Sequence, residues 1–189
     1  MRKSPRLLNI VGGPDSGKDY VIQAIADLGT QHAVIVPKHT SRPRRLDDKN
    51  EMICCDDEGY DIIGCDVTYE NYNDVYGIKT SEIWAGLKNR SFVLTVVSNI
   101  EALNKLREIF GDLLVMVYVH SQSTAEIFEK ESIVNDDYVK KRVEDYRMAF
   151  NIYLDNFLAF DHVLIWSGDK ENLFDQIFRL FRAYDLGLI

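Results

Sequence analysis

The chain has 189 residues, of which 46% are apolar, and its 30 acidic against 22 basic side chains leave a net charge of -8. That apolar share is too high for a disordered chain, and the acidic excess argues against a general nucleic-acid surface. No uninterrupted apolar run approaches the ~20 residues of a membrane span, and the basic start Met1-Arg2-Lys3-Ser4-Pro5 lacks the apolar core of a secretory signal. The expectation is one compact cytoplasmic domain with no membrane and no nucleic-acid partner. Cys54, Cys55 and Cys65 have no framework spacing and no neighbouring histidine, which predicts reduced thiols rather than disulfides or zinc.

In chain order, Leu7 to Val11 is an apolar run that predicts a buried strand. The loop Gly12-Gly13-Pro14-Asp15-Ser16-Gly17-Lys18-Asp19 follows. Its spacing, Gly-x-x-x-x-Gly-Lys after a strand and before a helix, is that of a phosphate-binding loop, with Asp19 where the pattern has Ser or Thr. Glycines let consecutive N–H groups turn inward on a phosphate, and the helix after Lys18 adds its positive dipole end. Gly12, Gly13, Pro14, Asp15, Ser16, Gly17, Lys18 and Asp19 are therefore expected to wrap a phosphate, with Lys18 supplying a mobile positive charge for its outer oxygens. Asp19 is expected to hold Mg2+ through water, because magnesium keeps much of its hydration.

Lys18 to Leu28 has helical spacing ended by Gly29, and His32 to Val36 is a second apolar strand stopped by Pro37. Residues 38–51 then gather Lys38, Arg42, Arg44, Arg45 and Lys49. So local a basic cluster in an acidic protein predicts an anion site. Residues 52–76 read as an irregular insertion with short β-like pieces at Met52–Cys55 and Asp61–Cys65. A helix is predicted over Thr80–Lys88, a buried strand over Phe92–Val97, a helix over Ile100–Phe110 closed by Gly111, and a strand over Leu113–Val119. Helices follow at Thr124–Lys130 and Asp136–Phe160, then a strand at His162–Trp166 and an amphipathic helix at Lys170–Tyr184. Five strands alternating with helices predict an α/β fold, a parallel sheet with helices on both faces and ligands at the carboxyl ends of the strands.

Two further motifs are His39-Thr40-Ser41-Arg42-Pro43-Arg44-Arg45 and Tyr76-Gly77-Ile78, the latter followed by Asn99-Ile100-Glu101-Ala102-Leu103. Together with the phosphate loop they resemble the guanylate kinase family of nucleoside monophosphate kinases over nearly the full chain. The resemblance implies a P-loop three-layer fold, with a core of 1–37, 89–123 and 149–189, an acceptor-binding region at 38–88 and a helical lid at 124–148. It implies ATP and Mg2+ as cosubstrate and cofactor, and a nucleoside or sugar monophosphate as acceptor, with GMP foremost. It assigns Ser41, Arg42, Arg45 and Tyr76 to the acceptor phosphate, and Arg142 and Arg147 to the transferring group as catalytic residues. The carboxylate that would read a guanine falls to Glu70, with Asp66 and Asp74 as other candidates. Arginine suits these roles because its planar fork binds two phosphate oxygens.

Asp19, Ile78 in place of a serine, and the lack of an aspartate at the end of 92–97 depart from that family. They resemble instead the ribose 1,5-bisphosphate phosphokinases, whose loop also has Asp after Gly-Lys. A guanylate-kinase-like binding module without catalysis is the reading from another class, and the intact Gly12, Gly17 and Lys18 argue against it. A monomer or a homodimer is expected.

Overall fold

The computed structural model describes residues 5–13, 16–27, 33–46, 48, 51–71, 73–89, 92–121 and 137–185. The elements in order are β1 (Arg6–Val11), α1 (Lys18–Asp27), β2 (Ala33–Ile35), β3 (Lys38–Thr40), β4 (Met52–Cys54), β5 (Val67–Asn71) and β6 (Asp74–Ile78). Then come α2 (Thr80–Asn89), β7 (Phe92–Thr95), α3 (Ile100–Phe110), β8 (Leu114–Ser121), α4 (Asp137–Asp155), β9 (His162–Trp166) and α5 (Lys170–Asp185). The fold is α/β. Five parallel strands in the order β2-β7-β1-β8-β9 form the main sheet, and a second sheet has the order β4-β3-β6-β5. Among the described residues no helix is long and apolar enough to cross a membrane.

The chain divides into two compact units, Met1–Asn9 with Leu28–Val115 and Ile10–Asp27 with Met116–Ile189. In the first unit, β7 is buried at every position and α3 turns Ala102, Leu103, Leu106 and Phe110 inward. That spacing of three and four is the apolar stripe of an amphipathic helix. Asn99 caps α3 by accepting the Ala102 N–H at 3.0 Å, and Gly111 ends it at φ +50°. Asn9 is one of the polar side chains buried in this unit. Asn9, fully buried on β1, donates to the Val97 carbonyl at 2.9 Å and accepts from the Val97 N–H and the Thr95 hydroxyl at 3.0 Å each. With its amide satisfied, burial costs little. In the second unit, β8 is buried along almost all its length, and α5 packs Leu173, Ile177 and Phe181 inward. Gln176 ties α5 to β9 through both the N–H and the carbonyl of Ile165, at 2.8 and 2.9 Å.

Several elements differ from expectation. Lys38–Thr40, at the start of the basic segment where no strand is predicted, forms strand β3, antiparallel to β6 and parallel to β4. Pro37 ends pairing in the main sheet, and the chain enters the second sheet instead. Asp61–Cys65 is a turn rather than a strand, because the Asp61 carboxylate captures the Gly64 N–H at 3.0 Å and the Ile62 carbonyl takes the Cys65 N–H. The strands of this region lie further on, as the hairpin β5–β6, turning at Asn73 with φ +66°. The predicted helix to Phe160 stops at Asp155. Asn156 leaves helical geometry (φ -130°) and donates its side-chain amide to the Ile152 carbonyl at 3.0 Å, before a single 3-10 turn. The strand expected over 92–97 ends at Thr95 because Asn9 takes the Val97 N–H. The predicted helix at 124–130 and the glycine stop at Gly29 lie outside the described residues.

Candidate active site

The second unit carries the glycine loop for which the sequence predicts phosphate binding. Gly12 and Gly13 follow β1, and Lys18 opens α1. The first amides of a helix have no partner within it, so the N–H groups at this end of α1 suit an anion. Lys18 Nζ donates to the Gly13 carbonyl at 3.2 Å, which folds the lysine back over the loop. The Ser16 hydroxyl is fully buried and has no hydrogen-bond partner among the described residues. A buried, unanswered hydroxyl inside the loop fits a phosphate oxygen. Pro14 and Asp15 lie outside the described residues.

Packing explains two of the glycines. A Cβ on Gly13 would meet Tyr146 of α4 at 2.8 Å from Cδ2 and 3.1 Å from Cα. Helix α4 thus abuts the loop, and Arg147, the next residue along, is exposed. Only the helical backbone at Arg142 is described. Gly17 has φ +88°, where a side chain is strained, and a Cβ there would lie 2.6 Å from Cγ of Trp166. That indole is stacked on Tyr20 with ring centroids 4.9 Å apart, so it has little room to yield. Gly17→Ala is expected to cost about 2 kcal/mol of stability from backbone strain and overpacking. Denaturant unfolding checks this; an unchanged stability would refute the packing argument.

Asp19, in the first turn of α1, is exposed. A carboxylate oxygen is the hard donor that magnesium takes, so the residue fits the ion in chemical type.

The first unit carries the basic segment. Arg42 is buried; its Nη1 donates to Asp48 at 2.8 Å and to the Pro43 carbonyl at 3.0 Å, and its Nη2 also pairs with Asp48. Burial opposes ionisation of Asp48, but hydrogen bonds from Arg42 and from the Arg45 N–H overcome it and hold the carboxyl down at about 2. Sequence reading missed Asp48; the only signal was an acid six residues beyond Arg42 in a basic run. Arg44 forks onto Asp57, and Arg45 is exposed. The Ser41 hydroxyl accepts the Val75 N–H at 2.9 Å. Tyr76 lies opposite Thr40 in the sheet, stacks on Tyr69 at 5.4 Å and interacts with Arg42. Lys38 Nζ lies 5.5 Å from the centre of its ring. Ser41, Arg42 and Tyr76 therefore converge at one end of β3 and β6. Ile78 is a core side chain, 1% exposed.

Beside this cluster, an open pocket of about 500 Å³ is lined by Thr68, Tyr69, Glu70, Val75 and the start of α3 at Asn99, Ile100 and Glu101. Glu70 is in it; Asp66 is instead taken up by the Thr80 N–H and hydroxyl at 2.8 and 2.7 Å, at the start of α2, and Asp74 sits at the hairpin turn. The second carboxylate of the pocket, Glu101, was not among the sequence candidates. Its signal was an acid two residues after a helix-capping asparagine at a strand end. Cys54, Cys55 and Cys65 are free thiols, and burial pushes the Cys54 and Cys65 thiols up to about 11. Cys54, Asp56 and Asp57 bring ligand-type atoms within 4.8 Å, but Arg44 engages both carboxylates.

No family model matches the chain, and no curated protein matches it. A solved structure does: guanylate kinase from Anaplasma phagocytophilum, at 15% identity and TM-score 0.66, covering 97% of this chain and 87% of that one. The fold is that of a guanylate kinase. At this identity the likeness speaks for the arrangement of the backbone, and the side chains described above carry the chemistry.

Proposed function

We propose that this chain is an ATP-dependent kinase that moves the terminal phosphoryl group of ATP onto the phosphate of a small monophosphate, with GMP as the acceptor. The observation that carries the reading is the phosphate loop itself, with Lys18 folded onto the Gly13 carbonyl and the Ser16 hydroxyl buried without a described partner. The guanylate kinase fold of the solved neighbour supports it. Phosphoryl transfer brings several negative charges together, so catalysis is mostly positioning and neutralisation. The loop amides, Ser16 and Lys18 hold the donor phosphates. Arg42, Arg45, Ser41 and Tyr76 hold the acceptor phosphate, and Arg142 and Arg147 supply charge over the transferring group. Asp19 would hold magnesium, and the ion would offset phosphate charge. Residues 124–148 act as a lid that excludes water from the transfer.

The pocket beside Glu70 and Glu101 favours a base over a bare sugar. Two carboxylates accept hydrogen bonds, and a guanine edge offers adjacent N–H donors. Asp19 favours the second reading, a sugar-phosphate acceptor such as ribose 1,5-bisphosphate. A coupled ADP-release assay across the nucleoside monophosphates and ribose 1,5-bisphosphate tests both. Turnover with GMP well above the other acceptors is expected. Turnover with ribose bisphosphate alone selects the second reading, and no turnover together with no ATP binding overturns both in favour of a binding module.

A further inference from the structure

Helix α5 presents a second apolar stripe beside the one it buries. Leu173, Ile177 and Phe181 face inward, and Gln176 is fastened to β9, yet Phe174 and Phe178 are 46% and 49% exposed. A phenylalanine carries a large apolar surface, so two half in water at a spacing of four form a patch rather than a scatter. Next to Phe174 runs a groove of about 260 Å³ between α1 and α5, walled by Tyr20, Ala24, Leu173 and Ile177. Tyr20 is itself 43% exposed. The molecule thus offers an aromatic knob, Phe178, beside a mostly apolar hole whose lining also includes Asp27 and Lys170.

The charges around the patch say what fits it. Glu171 lies one turn before Phe174 and Arg182 one turn after Phe178, both exposed on the same side of the helix. Neither has an ion-pair partner among the described residues, whereas Asp175 is paired with Arg179 at 2.6 Å. The stripe therefore reads acid, aromatic, aromatic, base. Laid against itself in reverse, it places Glu171 of each copy opposite Arg182 of the other, with the phenylalanines between. A twofold axis imposes that reversal, and a parallel alignment would set like charge against like.

We propose that a second copy of this chain covers this face, with the two α5 helices antiparallel and Phe178 of each copy seated in the α1–α5 groove of the other. The stretch from Glu171 to Arg182 is about 16 Å long at 1.5 Å per residue. A two-helix contact of that length is at the low end of stable interfaces, so the dimer dissociates in the micromolar range, on the order of 10 μM. The inference is independent of the phosphate chemistry, and its test uses no substrate.

Sedimentation equilibrium of the 189-residue chain from about 1 to about 200 μM, spanning that dissociation constant, is the measurement. A monomer–dimer equilibrium is expected. Phe178→Glu weakens it by more than about tenfold, since burying a carboxylate against a phenylalanine is unfavourable. Glu171→Arg and Arg182→Glu each weaken it by about threefold, and the double reversal restores wild-type association. Thermal melts by circular dichroism show each variant folded; the pair of single reversals and their double variant keep the test decisive if Phe178→Glu does not fold. A monomer at every concentration, which would leave the face to another protein, overturns the proposal. So does a dimer indifferent to Phe178→Glu, or a double reversal without rescue.

Discussion

Lys18→Met is expected to lower phosphoryl transfer by at least about a hundredfold, or ~2.7 kcal/mol of barrier, while changing stability by no more than about 1 kcal/mol. The asymmetry follows from what Lys18 does in each state. Among the described residues its Nζ makes one hydrogen bond, to the Gly13 carbonyl at 3.2 Å, from a half-buried position. Losing one such bond near solvent is a small change. Under the proposed function, the ammonium would face charge building on the transferring oxygens in the transition state. An electrostatic interaction made mainly there lowers kcat more than it raises KM. ADP-release kinetics under saturating acceptor, with denaturant unfolding in parallel, check both halves. A loss of less than about tenfold would remove Lys18 from the donor site.

Asp48→Asn is expected to move stability and acceptor binding in opposite directions. The Arg42–Asp48 pair is buried, with the two side chains 7% and 8% exposed. Its carboxyl titrates at about 2 against ~3.9 in an unfolded chain. A depressed folded value means stability that is full above about pH 4 and is lost as pH falls toward 2. The neutral amide lacks this term at every pH, so the variant should be less stable by about 2 kcal/mol at pH 7 and lose less on acidification than the wild type. Yet Asp48 occupies the same arginine fork that an acceptor phosphate would use. Removing its charge should tighten acceptor binding by about threefold to tenfold, because the phosphate no longer displaces a carboxylate. Calorimetric titration with GMP, beside urea unfolding at pH 7 and pH 3, distinguishes the outcomes. If affinity falls along with stability, Arg42 is a structural group and leaves the acceptor site.

The main sheet was legible because its strands are mainly apolar runs, such as Phe92 to Leu94, which declare themselves without reference to any partner. Lys38-His39-Thr40 gives no such signal; it is a strand because Met52–Cys54 pairs with it on one side and Tyr76 and Gly77, far along the chain, on the other. In the hairpin, Val67 and Tyr69 point inward and Thr68 and Glu70 outward. That alternation was present, but tyrosine and acidic neighbours obscured it. Ile62-Ile63 misled in the other direction, since Ile63 is 93% exposed at a turn held by Asp61. The candidate site divides in the same way. Gly12 to Lys18 is a local pattern whose spacing is its geometry. Glu101 reaches Glu70's pocket, and Asp48 reaches Arg42, only through sheet register and loop closure, which no residue spacing states.

Buried Asn9 has a consequence for how the chain avoids misfolding. A parallel strand of apolar residues can mis-zip against its neighbour by two places and still keep every greasy side chain inside, so hydrophobicity alone barely opposes the error. Here such a slip would strip the Asn9 amide of Thr95 and of both main-chain groups of Val97, stranding a polar group in a dry interior. It would also carry the glycine loop, which begins three residues later, about 6.6 Å along the strand, at ~3.3 Å per residue. One asparagine thus acts as a proofreader of alignment, making the nearest decoy structure unfavourable and setting the loop's starting point before any ligand arrives.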